Sequence, residues 1–99
     1  MKIQYSKELQ KTLKDEKTIK RNYGNFSNRI LMCISVLMFA DTLATVPNVP
    51  PTRRHKLVNE VNKWALDVSP NWRMTIEGID GNDPSSITEV KIVTIEDYH

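Results

Sequence analysis

What the chain has little of already narrows what it does. It has one cysteine, three glycines and two histidines in 99 residues. A single cysteine, Cys33, excludes an intrachain disulfide. Its place inside an apolar run predicts a reduced, buried thiol, which fits a reducing cytoplasm. Two histidines and a nearby aspartate are thin provision for a metal site, and their spacing lacks a metalloprotease helix motif. No metal and no cofactor is therefore expected, and no serine or cysteine nucleophile is signposted. Long apolar runs are missing too. The longest, Ile30 to Ala40, is eleven residues broken only by Ser35, too short for a bilayer and right for a buried helix. Met1 to Tyr5 lacks the apolar core of a signal peptide, so no membrane association is expected. Repeats and low-complexity stretches are absent as well.

Acidic residues are scarce in the first two thirds. Residues 1–63 hold 12 Lys and Arg against 5 Asp and Glu, a net of +7, and residues 64–99 hold 2 against 7, a net of −5. The basic part reads either as a face for a polyanion or acidic partner, or as a helical surface kept soluble by lysine. A composition 39% hydrophobic and 26% charged is ordinary for one globular domain spanning residues 1–99.

The periodicity sets out an α+β domain. Ile3 and Tyr5 alternate in a short N-terminal strand. Ser6 is positioned to cap a helix through about Arg21, with Leu9, Leu13 and Ile19 inward and Lys7, Lys11, Lys14, Lys17 and Lys20 outward. Tyr23-Gly24-Asn25 breaks it. Ser27 then caps a second, more apolar helix to about Thr45, wide enough in its apolar stripe to need cover on several sides. The proline-rich Val46–Pro51 stretch is a stiff connector. Beyond it the period changes to two. Trp64, Leu66 and Val68 alternate with Ala65 and Asp67; Trp72, Met74 and Ile76 alternate with Arg73, Thr75 and Glu77; Val90 to Ile95 is a β-branched run. Two helices followed by a three-stranded antiparallel meander packed on them is the expected architecture. Both tryptophans are expected to pack inward.

Chemistry-bearing residues gather toward the sheet. His55 lies in the basic cluster Arg53-Arg54-His55-Lys56, expected in the connector before the sheet. Arg73 is on the polar side of its strand. In a meander that strand neighbours the one ending in Glu96-Asp97-Tyr98-His99. Two imidazoles, a phenol, a carboxylate and arginines suit metal-free cleavage of RNA by its own 2′-hydroxyl. That reaction needs a base at the 2′-OH, an acid at the departing 5′-oxygen, and cations on the crowded phosphorane. Tyr98 is suited either to move a proton or to stack on a base.

His55, Trp64 with its alternating neighbours, Asn71-Trp72-Arg73-Met74-Thr75-Ile76, and Glu96-Asp97-Tyr98-His99 stand in an order and spacing that resemble HigB-type toxins of the RelE-like superfamily of bacterial type II toxin–antitoxin systems. The motif resemblance covers residues 50–99; length and element order extend it to the whole chain. It implies a microbial-ribonuclease-like fold and an endoribonuclease that cuts mRNA on the translating ribosome. Its catalytic residues would be His55, Arg73, Asp97, Tyr98 and His99, with Arg53, Arg54, Lys56 and Lys63 as RNA contacts. The implied partners are the ribosome, mRNA and a cognate helix-turn-helix antitoxin of HigA-like type, with operator DNA reached only through that antitoxin. The chain departs from the family after His55. Leu57-Val58-Asn59-Glu60 stands where many relatives have a Leu-Lys-Gly-Asp-type segment, so Lys56 or Lys63 would replace the missing lysine. A non-catalytic RNA- or antitoxin-binding module of the same fold is the alternative. A DNA-reading helix-turn-helix is disfavoured, because its reader helix would be too apolar to face a groove.

Overall fold

Period-two alternation does in the second half of the chain what β-branched, half-buried sequence should. In the computed structural model, which describes residues 1–97, β3 (Lys63–Asp67), β4 (Trp72–Gly78) and β5 (Glu89–Asp97) form the antiparallel meander. Two further strands complete a mixed five-stranded sheet. β1 (Lys2–Tyr5) runs parallel to β5 on one side, and β2 (His55–Lys56) pairs antiparallel with β3 on the other, giving the order β1-β5-β4-β3-β2. His55 thus lies in a strand, where the sequence predicts a connector. Its pairing with Ala65 sets its height on the sheet.

The first helix is two pieces. α1 (Leu9–Thr12) and α2 (Glu16–Tyr23) are separated because Asp15 adopts an extended backbone and its carboxylate accepts from the Thr18 N–H at 2.7 Å. That is N-cap geometry, and it outcompetes a continuous helix from Ser6 to Arg21. α2 stops at Tyr23 as expected, where Gly24 takes a positive φ of 50°. α3 (Ser27–Phe39) is shorter than expected, with Leu43–Thr45 a separate 3-10 turn. Ser27 does not cap it: the residue lies in the first turn and its hydroxyl donates to the Gly24 carbonyl at 2.7 Å. At the other end, the Met1 ammonium donates to the carbonyls of Leu37, Met38 and Ala40 at 3.2, 2.8 and 2.6 Å. A cation is favourable there, among the carbonyls a helix C-terminus leaves unpaired.

The helices cover one face of the sheet. Ile30, Cys33 and Leu37 of α3 are buried with Trp64, Leu66, Met74, Ile76, Val90 and Ile92 of the strands in one core. Burial pushes the Cys33 thiol up to about 12, so it is an inert, protonated group. Trp64 packs in the core as expected, and Trp72 packs inward against that core, half-buried beside Phe26 with ring centroids 5.4 Å apart. Among the described residues, no helix is long and apolar enough to cross a membrane.

One irregularity decides what the other face carries. Thr75 pairs with Thr94 but Ile76 pairs with Ile92, leaving Val93 as a bulge in β5. Ser6 holds it, its N–H donating to the Ile92 carbonyl at 2.9 Å and its hydroxyl to the Val93 carbonyl at 2.8 Å. Unbroken alternation from Val90 and Ile92 would send Thr94 and Glu96 into the core. The extra residue instead sends Ile95 there and turns Thr94 and Glu96 to the face away from the helices.

Candidate active site

On that outer face the register sets polar residues in rows. His55, Ala65, Thr75 and Thr94 lie across the sheet in one row; Asp67, Arg73 and Glu96 form the next. Directly opposed residues share a face, so these side chains are neighbours.

His55 stands at the rim of a cleft of about 480 Å³ lined by His55, Lys56, Leu57, Val58, Glu60 and Arg73. Its Nδ1 is 2.7 Å from the Arg53 carbonyl oxygen. A carbonyl only accepts, so Nδ1 carries the proton and, in the neutral ring, Nε2 is the nitrogen able to take one. Arg53 presents that carbonyl from a left-handed backbone with φ of 45°. The conformation is costly for a side chain bearing a Cβ, and here it adjoins the candidate site. It is held by the Val49 carbonyl on the Arg53 N–H, at 2.9 Å, and by a two-pronged ion pair of the guanidinium with Asp67, at 2.5 and 2.9 Å. Arg54 braces the same segment, its Nε donating to the Val46 carbonyl at 2.9 Å. These two arginines therefore build the connector that orients the imidazole.

Lys56 lies over the Trp64 ring, 5.2 Å from its centroid, and donates to the Glu60 carbonyl at 3.0 Å. The loop it spans turns through Asn59 and Asn62, both at positive φ, and Asn62 ties it to the carbonyls of Gly78 and Gly81, each at 2.8 Å. The departing segment Leu57-Val58-Asn59-Glu60 is thus one wall of the cleft. It contributes buried Leu57, exposed Val58 and a carboxylate, Glu60.

Arg73 also lines the cleft. Its Nε and Nη2 donate to Glu96 Oε2 at 3.1 and 2.8 Å. The other carboxylate oxygen accepts from the Thr94 hydroxyl at 2.7 Å, and the Thr94 and Thr75 hydroxyls are 2.6 Å apart. Thr94 has one hydroxyl proton and gives it to Glu96, so Thr75 donates to Thr94. Thr75 in turn accepts from the Thr94 N–H at 3.2 Å. The Thr94 hydroxyl above all, then the Arg73 guanidinium, with a smaller attraction from Lys63, holds the Glu96 carboxyl below its ordinary range.

The structure therefore brings His55, Lys56 and Arg73 to one cleft and places Lys63 within electrostatic reach of Glu96. Asp97 pairs with Trp72, on the alternate side of β5 from Glu96. Tyr98 and His99 lie outside the described residues. Among the described residues, no group of three or more His, Cys, Asp and Glu side chains is placed to hold a metal ion. Sequence reasoning assigned no role to Glu96, Thr75, Thr94 or Asp67. The only signal for them was polarity at alternating strand positions, and for β5 that signal points to the wrong face unless the bulge is known.

No protein-family model matches the chain, and no curated protein matches it by sequence. Solved structures do match it by shape. A YoeB/ParE toxin from Agrobacterium tumefaciens superposes over the full length of both chains with a TM-score of 0.63 at 11% identity. YafQ of E. coli, solved in a DinJ–YafQ complex, covers 96% of this chain and 90% of its own with a TM-score of 0.60 at 17% identity; a mutant of YafQ matches equally. The α+β fold of this chain is therefore the fold of these solved structures.

Proposed function

We propose that this chain is the toxin of a type II toxin–antitoxin system, an endoribonuclease of HigB type that cuts mRNA on the ribosome without a metal. The carrying observation is the cleft that His55, its tautomer set by the Arg53 carbonyl, shares with Arg73. In this reading His55 Nε2 takes the proton of the 2′-hydroxyl, and the 2′-oxygen attacks the adjacent phosphorus. The bond to the 5′-oxygen breaks, and that oxygen leaves with a proton from His99 or Tyr98. The products are a 2′,3′-cyclic phosphate and a 5′-hydroxyl. Arg73 stabilises charge that grows on the phosphoryl oxygens. Lys56, Lys63, Arg53 and Arg54 serve the RNA backbone, and Asp97 is the catalytic carboxylate. The fold shared with proteins described as toxins supports this reading, and the DinJ–YafQ complex supports a protein partner. For this chain that partner is a HigA-like helix-turn-helix antitoxin, through which operator DNA is reached. The site of action is the cytoplasm.

A second reading, a non-catalytic RNA- or antitoxin-binding module, draws on the Arg73–Glu96 pair, which already occupies two guanidinium donors. Induction in bacteria separates the two. The intact chain should arrest growth with cleaved messages, and His55→Ala or His99→Ala should slow cleavage by about 10²–10⁴ and relieve the arrest. A chain that arrests nothing, or variants equally toxic, would leave the binding module.

A further inference from the structure

Glu96 is not among the residues lining the cleft; it meets Arg73 from beside it. Its own geometry is set from two sides. One oxygen takes two Arg73 donors, and the other takes the Thr94 hydroxyl, itself fixed by Thr75. Thr75 is buried, 4% exposed, so the base of this relay is rigid. A guanidinium has five N–H donors, and its long stem is costly to immobilise. A carboxylate that fixes one edge pre-orders the group and leaves its plane defined.

We propose that Glu96 is a positioning residue: through Arg73 it aims the guanidinium at the scissile phosphate, with Thr94 and Thr75 as its rigid support. The proposal rests on the ribonuclease reading for its substrate and adds a residue that reading does not use. The alternation of charge is part of the device. Arg73 stands in its row between Asp67 and Glu96, two carboxylates at neighbouring strand positions. Asp67 is turned to Arg53, with both oxygens engaged there. Glu96 is therefore a carboxylate that orders Arg73 directly, as Asp67 orders Arg53. Swapping the pairs would loosen both the imidazole's carbonyl partner and the phosphate-facing cation.

The test compares Glu96→Ala, Glu96→Gln, Arg73→Ala and the Glu96→Ala/Arg73→Ala double variant in two measurements. The first is single-turnover cleavage of ribosome-bound message. Glu96→Ala should slow the chemical step about 10- to 100-fold with KM within about threefold, as expected for misplacement of a group used in the transition state. Glu96→Gln, whose amide oxygen still accepts from the guanidinium, should restore most of the rate. In the Arg73→Ala background, Glu96→Ala should have no further effect, since a residue acting through another is not additive with it. The second measurement is the Arg73 Nε–H resonance. It should be sharp in the intact chain and in Glu96→Gln, and averaged in Glu96→Ala. An unchanged resonance in Glu96→Ala, or losses that multiply in the double variant, overturns the proposal. If the resonance behaves as expected but the intact chain does not cleave, the ribonuclease reading falls and the positioning of Arg73 stands. If the chain cleaves and the resonance is indifferent to Glu96, the reverse holds.

Discussion

The two faces of the sheet share their strands and are held by opposite kinds of force. Toward the helices, Trp64, Leu66, Met74, Ile76, Val90 and Ile92 are buried among one another and the helical core. Their attraction is non-directional and grows with the apolar area removed from water. On the outer face, Arg53 meets Asp67, and Arg73, Glu96, Thr94 and Thr75 meet one another, through directed pairs of 2.5–3.2 Å. Such contacts add little net stability, but they fix orientation closely. Stability is therefore concentrated on one face and chemical order on the other, and a substitution should show its side by what it changes.

The largest effect should come from the covered face. Met74→Ala, at a position with no exposure, should lower unfolding free energy by about 2–5 kcal/mol through lost burial and the cavity left behind. Urea denaturation measures it, and a value near zero would mean the core is not where the burial pattern puts it. Thr75→Val tests the join between the faces. It keeps the shape but removes the donor to Thr94 and the acceptor for the Thr94 N–H, so about 1–3 kcal/mol should be lost. It should also blur the Arg73 Nε–H resonance, an effect Met74→Ala lacks at temperatures where the fold persists.

The smallest effect is electrostatic. The Glu96 carboxyl is held below its ordinary range in the folded chain, chiefly by the Thr94 hydroxyl and then by Arg73. As pH falls, the unfolded chain binds that proton first, near its ordinary pKa of about 4.3. The contribution is therefore complete above that value and is lost as pH falls through the lower folded one. Because 37% of the Glu96 side chain is exposed, solvent screening keeps the contribution under about 1 kcal/mol. The stability difference between the intact chain and Glu96→Gln should shrink steadily below about pH 4. Asp15, Asp80 and Asp83 are also held low in the intact chain, by hydrogen bonds that do not involve Glu96, so their contributions should cancel in the comparison. A gap that widens on acidification would contradict the ion-pair account.

What was legible in the sequence was what depends on local pattern. The alternations through Trp64 and Leu66 and through Trp72, Met74 and Ile76 specified the strands and their buried side, since a one-residue slip would put every apolar side chain in water. The apolar α3, the break at Tyr23-Gly24 and the approach of Arg73 to the last strand followed from the same reasoning. The split at Asp15 was legible only in hindsight, because a capping aspartate and a helical aspartate look alike until the backbone chooses. Tertiary structure alone decided three things. It drew His55 out of a connector into β2, because a backbone ladder with β3 was available there. It set β1 parallel to β5, so that the last strand lies inside the sheet and not at its edge. And it placed the bulge at Val93, closed by Ser6 from 87 residues away in the chain. No local preference of Val93 announces that bulge, yet it determines that Glu96, and not Ile95, stands opposite Arg73. Periodicity is a property of neighbours in sequence; the register of a bulged strand belongs to its partners.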